Sequence, residues 1–141
     1  MKSFFYKIGL LCVVLFAGAF QASALDGAVV IANPGVSADS LSADALKDIY
    51  TGKTKYWDNG QAVVIVVLSD KTDAALQQAS GMEAGDFKTY WQRLMFSGRG
   101  QMPKTADDEA SLVSIVASTK GAIALAPTDV AKTGIKTIDV K

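Results

Sequence analysis

The stretch Ile49-Tyr50-Thr51-Gly52-Lys53-Thr54-Lys55-Tyr56-Trp57-Asp58-Asn59-Gly60-Gln61-Ala62-Val63-Val64-Ile65-Val66-Val67-Leu68-Ser69-Asp70 decides the fold. It reads as a helix end, an aromatic-bearing turn and a buried strand. Residues 62–68 are apolar throughout and rich in β-branched side chains. A strand without polar alternation is covered on both faces, as in a parallel sheet flanked by helices. The strand empties into Ser69-Asp70-Lys71-Thr72, directly before a helical pattern. Ligands in open α/β sheets collect at the carboxyl ends of strands, where helix N-termini point. Ser69, Asp70 and Thr72 are therefore the first candidates for ligand contact.

Working towards the N-terminus, residues 42–50 read as a helix. Ser42 is its expected N-cap, and Leu41 and Leu46 occupy the two positions of a hydrophobic staple. Leu46, Ile49 and Tyr50 share one face, and Gly52 suits the left-handed position after the last turn. Trp57 in the following connection is expected to pack back on the core, with ligand stacking as the weaker alternative. Residues 27–32 read as a buried first strand, ended by Asn33-Pro34-Gly35.

Residues 1–24 read as a signal peptide. Lys2 and Lys7 supply the charged start, residues 8–20 an apolar run short for a membrane span, and Ala22-Ser23-Ala24 a small-x-small cleavage site. Export to the periplasm with cleavage after Ala24 is the expectation, leaving residues 25–141 as one domain. Cleavage would remove the single cysteine, Cys12, and leave two more acidic than basic side chains. Cys12 follows Leu11, which is not the small residue a lipid-anchor signal requires.

Towards the C-terminus, Thr72 or Asp73 can cap a short helix to Gln78, closed by Ser80-Gly81. A stronger helix spans residues 84–95, where Phe87, Tyr90, Trp91 and Leu94 form one apolar stripe. That stripe reads as core packing rather than a cofactor box. Residues 96–103 form an irregular loop in which Gly98 and Gly100 flank Arg99 and Pro103 prevents helix continuation. A helix follows over residues 107–119, with Asp107-Asp108-Glu109 at its positive end as dipole-favourable capping rather than a metal site. Residues 122–126 read as a short strand and residues 135–140 as an alternating edge strand. The expected order is β-α-β-α-α-α-β-β.

Several chemistries are demoted. There is no histidine, so no Ser-His-Asp arrangement exists, and the mature chain lacks the side chains of ordinary zinc or copper sites. There is no Ser-x-x-Lys motif, no phosphate loop of the Walker kind, and no third glycine after Gly98-x-Gly100. Zero formal charge and scattered basic residues give no footprint for nucleic acid. No catalytic residue, metal or cofactor is expected. Two features suit a small anion. At residues 69–73, hydroxyls, N–H groups and a helix dipole would face an oxyanion, although an ordinary capped helix explains the same residues. At residues 97–101, Gly98 and Gly100 let backbone approach a ligand and Arg99 offers a planar fork, although a solvated surface loop explains these equally.

Taken together, Leu41-Ser42, Leu46, Ile49-Tyr50-x-Gly52-Lys53 and Tyr56-Trp57-Asp58 resemble the "Leu-Ser…Ile-Phe/Tyr-x-Gly-Lys-x-x-x-Trp" signature of phosphate ABC transporter substrate-binding proteins, the type II periplasmic binding proteins. The strand ending at Ser69-Asp70, the glycine-rich loop at Phe96-Ser97-Gly98-Arg99-Gly100 and Gly121-Ala122-Ile123 follow in matching order. The resemblance runs from Val29 to about Ile138. It implies an α/β fold, a single lobe of the two-lobed receptor with a mixed sheet flanked by helices. It also implies phosphate or a related oxyanion as ligand and a membrane transporter as partner. As a single lobe that departs from the family's anion motif, the chain is expected to bind weakly or as a homodimer, and a membrane sensor or porin is the partner expected of an interaction module. The family's anion motif reads Arg-x-Asp-Gly-Ser-Gly-Thr. Here Asp70 and a hydroxyl at Thr72 match it, while Leu68, Lys71, Asp73 and Ala74 depart from it. The alternative expectation is a ligand-free interaction or sensory module built on the same lobe.

Overall fold

The computed structural model describes residue 25 and residues 27–69 and 71–141. The expected signal peptide and Asp70 lie outside the described residues. The element order is β1 (Ala28–Ala32), β2 (Ser40–Leu41), α1 (Ala43–Tyr50), β3 (Val64–Leu68), α2 (Asp73–Ser80), α3 (Ala84–Phe96), β4 (Lys104–Ala106), α4 (Glu109–Ser118), β5 (Ala122–Pro127) and β6 (Lys136–Val140). The strands form one mixed sheet in the order β2-β6-β1-β5-β3-β4. β3 is parallel to both its neighbours, β4 and β5. β1 is antiparallel to both of its own, β5 and β6.

Alternation along the strands divides the interior into two cores. In β5, Ile123 and Leu125 face the core shared with α1, α2 and α3. Ala122, Ala124 and Ala126 face α4, packing with its Leu112 and Val116. Three alanines on one face leave room for α4 to lie close to the sheet. β3 divides the same way, Ile65 to one core and Val66 and Leu68 to the other. An apolar run with helices on both sides is what the uninterrupted residues 62–68 require.

The helix signals are met with small shifts. Ser42 caps α1, its Oγ accepting from the Ala45 N–H at 3.0 Å. Gly52 (φ +77°) takes the left-handed position beyond α1. α2 extends to Ser80 and ends on left-handed Gly81. Thr72 is the N-cap of α2, but its side chain makes no capping bond.

Two expectations are corrected. The sequence pattern contains no sign of β2 or β4. Each is two or three residues long and exists because it pairs with a strand distant in sequence, β2 with β6 and β4 with β3; such pairing outweighs local pattern. For the same reason β6 is not an edge strand, since β2 lies outside it.

One buried polar residue joins the two ends of this architecture. Asn33, at the end of β1, donates through Nδ2 to the Val116 and Ala117 carbonyls in the last turns of α4 (3.0 and 3.1 Å). Its Oδ1 accepts from the Gly35 N–H. Carbonyls at a helix C-terminus lack intrahelical partners, and Asn33 supplies them from a strand. The reading of Asn33-Pro34-Gly35 as a mere turn missed this.

Candidate functional site

The carboxyl ends of β3 and β4 lie side by side, because Leu68 pairs with Ala106 in parallel register. Each strand leads directly into a helix N-terminus, β3 into α2 and β4 into α4. Ser69 is half-buried and donates its N–H to the Ala106 carbonyl at 3.0 Å, so that donor serves the strand pair. Thr72 is buried and its carbonyl accepts the first helical bond of α2, from the Leu76 N–H. Asp70 lies outside the described residues.

The charge at this end is mostly negative. Asp73, Asp107, Asp108 and Glu109 stand at the two helix starts, with Lys71 3.9 Å from Glu109. At α4 the anion position is taken by the chain itself: Asp108 Oδ1 accepts the Ser111 N–H at 2.6 Å. That bond, with a smaller contribution from Lys71, holds the Asp108 carboxyl below its usual 3.8. A lowered folded pKa means that the charged form stabilises the native state. The stabilisation is complete above 3.8 and is lost as pH falls through the lowered value. The melting-temperature gap between the wild type and Asp108→Ala is therefore expected to be constant near neutrality and to close progressively below pH 3.8. A gap that persists unchanged at lower pH would show that the cap acts without its charge.

The glycine-rich loop is elsewhere. Arg99 and Gly100 line an open-mouthed cavity of about 450 Å³ whose wall includes Val63, Val64 and Ile65, at the amino end of β3. Ser69 and Thr72 follow the opposite end of that strand, roughly 15 Å away at the ordinary rise per residue. The fold thus separates the two groups of candidates and does not combine them into one site. Ser97 and Gly98 are exposed. Ser97 closes α3, and its Oγ donates to the Leu94 carbonyl. Gly98 turns the chain at φ +71°. Gly100 has a packing duty: a Cβ there would stand 3.1 Å from the Trp91 ring.

The signature residues are scaffold. Trp91 on α3 lies between Gly52 and Gly100, each close enough that a Cβ would press on its ring at 3.1 Å. Its indole N–H donates to the Tyr50 carbonyl at 3.1 Å, and the Tyr90 hydroxyl donates to the Thr51 carbonyl at 2.6 Å. These bonds tie the C-terminus of α1 to α3. Trp57 is buried, as expected, and its indole N–H donates to the Gly121 carbonyl at 2.9 Å. The Tyr50 ring is buried against Phe87, and burial pushes the pKa of its hydroxyl up. That hydroxyl makes no hydrogen bond among the described residues.

Sequence reasoning singled out Arg99 but not Lys55, Tyr56, Met102 and Lys104, which share its cavity. The loop over residues 99–104 meets the turn over residues 52–56 only through the fold. The one local hint is an aromatic residue beside two lysines at residues 53–56.

The topology is a six-stranded mixed sheet between helices, the fold of a single lobe of the type II periplasmic-binding-protein kind. No protein-family model and no curated protein sequence matches the chain. Solved structures do. A protein from Clostridium perfringens, solved with bound phosphate and named as a phosphate ABC transporter substrate-binding protein, matches with a TM-score of 0.63 at 20% identity, over 81% of this chain and 44% of that one. An ABC-type phosphate transport receptor from Vibrio cholerae matches at 0.55 and 13%, over 81% and 46%. PstS from Borrelia burgdorferi matches at 0.55 and 11%, over 82% and 47%. The chain spans less than half the length of each. The likeness establishes the fold alone, that of one lobe of these structures. Among the described residues, no helix is long and apolar enough to cross a membrane.

Proposed function

We propose that this chain is an exported, periplasmic solute-binding-like protein that holds a small oxyanion, phosphate first among them, weakly at the carboxyl end of β3. The observation that carries this reading is the α2 N-terminus. It follows β3 directly in a lobe with the fold of phosphate receptors, and its N-cap Thr72 makes no side-chain capping bond. The first N–H groups of a helix and its dipole suit an anion. Thr72 offers a hydroxyl beside them. Weakness follows from Asp73, a like charge next to the anion. A second lobe, from another copy of the chain or from a transporter, sensor or porin, would raise affinity by enclosing the anion.

A second reading, a protein-interaction module without a ligand, is favoured by Asp108. Its carboxylate occupies the N-terminus of the neighbouring helix and adds negative charge at this end of the sheet. Isothermal titration separates the two readings. Protein stripped of phosphate by unfolding and refolding is titrated with phosphate and then sulfate. The expected result is a dissociation constant of about a millimolar, lost in the Asp70→Ala, Thr72→Ala double variant. Absence of heat up to such concentrations would remove the oxyanion reading and leave the interaction module; a double variant that binds as the wild type does would overturn the placement of the anion at the carboxyl end of β3.

A further inference from the structure

We propose that the cavity at the amino end of β3 is a separate small-molecule site for an organic anion, a carboxylate carrying an aromatic or branched apolar body. Its volume, about 450 Å³, falls within the range of roughly 300–1,000 Å³ typical of small-molecule pockets.

Charge argues for the carboxylate. Three cationic residues, Lys55, Arg99 and Lys104, stand on the lining, and among the described residues no aspartate or glutamate does. The chain as a whole has equal numbers of acidic and basic residues, so a lining of this size with three cations and no acid is a local concentration of one sign. None of the three forms an ion pair among the described residues; the pairs there are Lys71 with Glu109 and Lys136 with Asp39. Their charges are available to a ligand, and an arginine fork meets a carboxylate with two parallel hydrogen bonds.

The lining between these charges argues for the apolar body. Val63, Met102 and the exposed Tyr56 contribute apolar surface, and the buried Ile49, Ile65 and Trp91 complete the lining. Trp91 is held in place between Gly52 and Gly100 and by its bond to the Tyr50 carbonyl. The lining around it is therefore preformed, and a ligand does not have to order it. Tyr56, also on the lining, is 65% exposed, which is unusual for a ring its size. It gains burial when an apolar ligand enters. Methionine adapts to different shapes, so the site selects by charge and approximate size. Inorganic phosphate gains nothing from such walls, which separates this site from the oxyanion site at the other end of β3.

The test uses 3-phenylpropionate and its neutral counterpart 3-phenylpropionamide, followed by ¹H–¹⁵N NMR on the purified protein. The expected result is saturable shifts at the Trp91 indole N–H and at the Gly100, Gln101 and Lys104 amides with the acid. Binding of the amide should be at least about tenfold weaker, the worth of one charge-assisted hydrogen bond. An Arg99→Gln, Lys104→Gln variant should lose a similar factor for the acid and nothing for the amide. Equal binding of acid and amide would overturn the proposal and leave an uncharged crevice. So would shifts confined to the carboxyl end of β3, or no saturable shift at about millimolar ligand. The comparison of acid with amide is made on the wild type and does not depend on how any variant folds.

Discussion

Gly121→Ala is expected to destabilise the protein by at least about 3 kcal/mol, more than most single substitutions do. Gly121 is buried at φ +79°, a conformation that already disfavours alanine. The larger effect is steric. A Cβ at Gly121 would be driven into the backbone carbonyl of Ala62, and backbone cannot rotate away as a side-chain tip can. Relief requires moving β5 from the segment that leads into β3. That movement strains two bonds to the Gly121 carbonyl: the Val64 N–H at 3.0 Å and the Trp57 indole N–H at 2.9 Å. A buried donor left without its acceptor costs roughly 1–3 kcal/mol. Native domains are stable by only about 5–15 kcal/mol, so the variant should melt at least about 10 °C lower. Urea denaturation checks the magnitude. A loss under about 1 kcal/mol would mean that the strand ends adjust freely and that this close approach is not a constraint.

Trp91→Ala is the second large effect, about 3–5 kcal/mol by the usual cost of removing a buried aromatic ring. The ring fills the space between α1 and the loop after α3, touching Phe87 and Tyr90 at centroid separations of 6.2 Å. Gly52 and Gly100 have no side chains with which to fill the hole. The Tyr50 carbonyl also loses its indole donor. Trp91→Phe loses that bond but keeps most of the volume, so it should cost less than half as much. Denaturation of the two variants side by side measures the difference; equal losses would mean that the hydrogen bond, not the packing, supports this corner.

Local chemistry was the legible part of the fold. Ser42 as a cap, Gly52 and Gly81 as helix stops, the aromatic stripe of α3 and the buried run of β3 are each set by residues close in sequence. β2 and β4 were illegible because pairing across the sheet creates them. The same division applies to function. The Ile49-Tyr50-x-Gly52…Trp57 signature was recognisable, and it led to the right fold. Its residues prove to be joints: Tyr50 and Thr51 to α3, Trp57 to Gly121. A signature made of joints carries over with the architecture and says little about the ligand. Arg99 was visible as a candidate, but only the fold shows that it stands at the far end of β3 from Ser69 and Thr72, among cations contributed by other segments.

The sheet's outermost strands bear on how such a lobe meets other molecules. β2 has two residues and β4 three, and β4 follows Pro103 and begins with the exposed Lys104. Edges this short, interrupted and charged are poor templates for strand addition. Neither a second copy of the chain nor a foreign peptide finds a row of backbone groups to zip onto. An associating protein is left with the strand ends and the helical faces, and one of those strand ends, the amino end of β3, carries the cavity lined by Arg99 and Gly100.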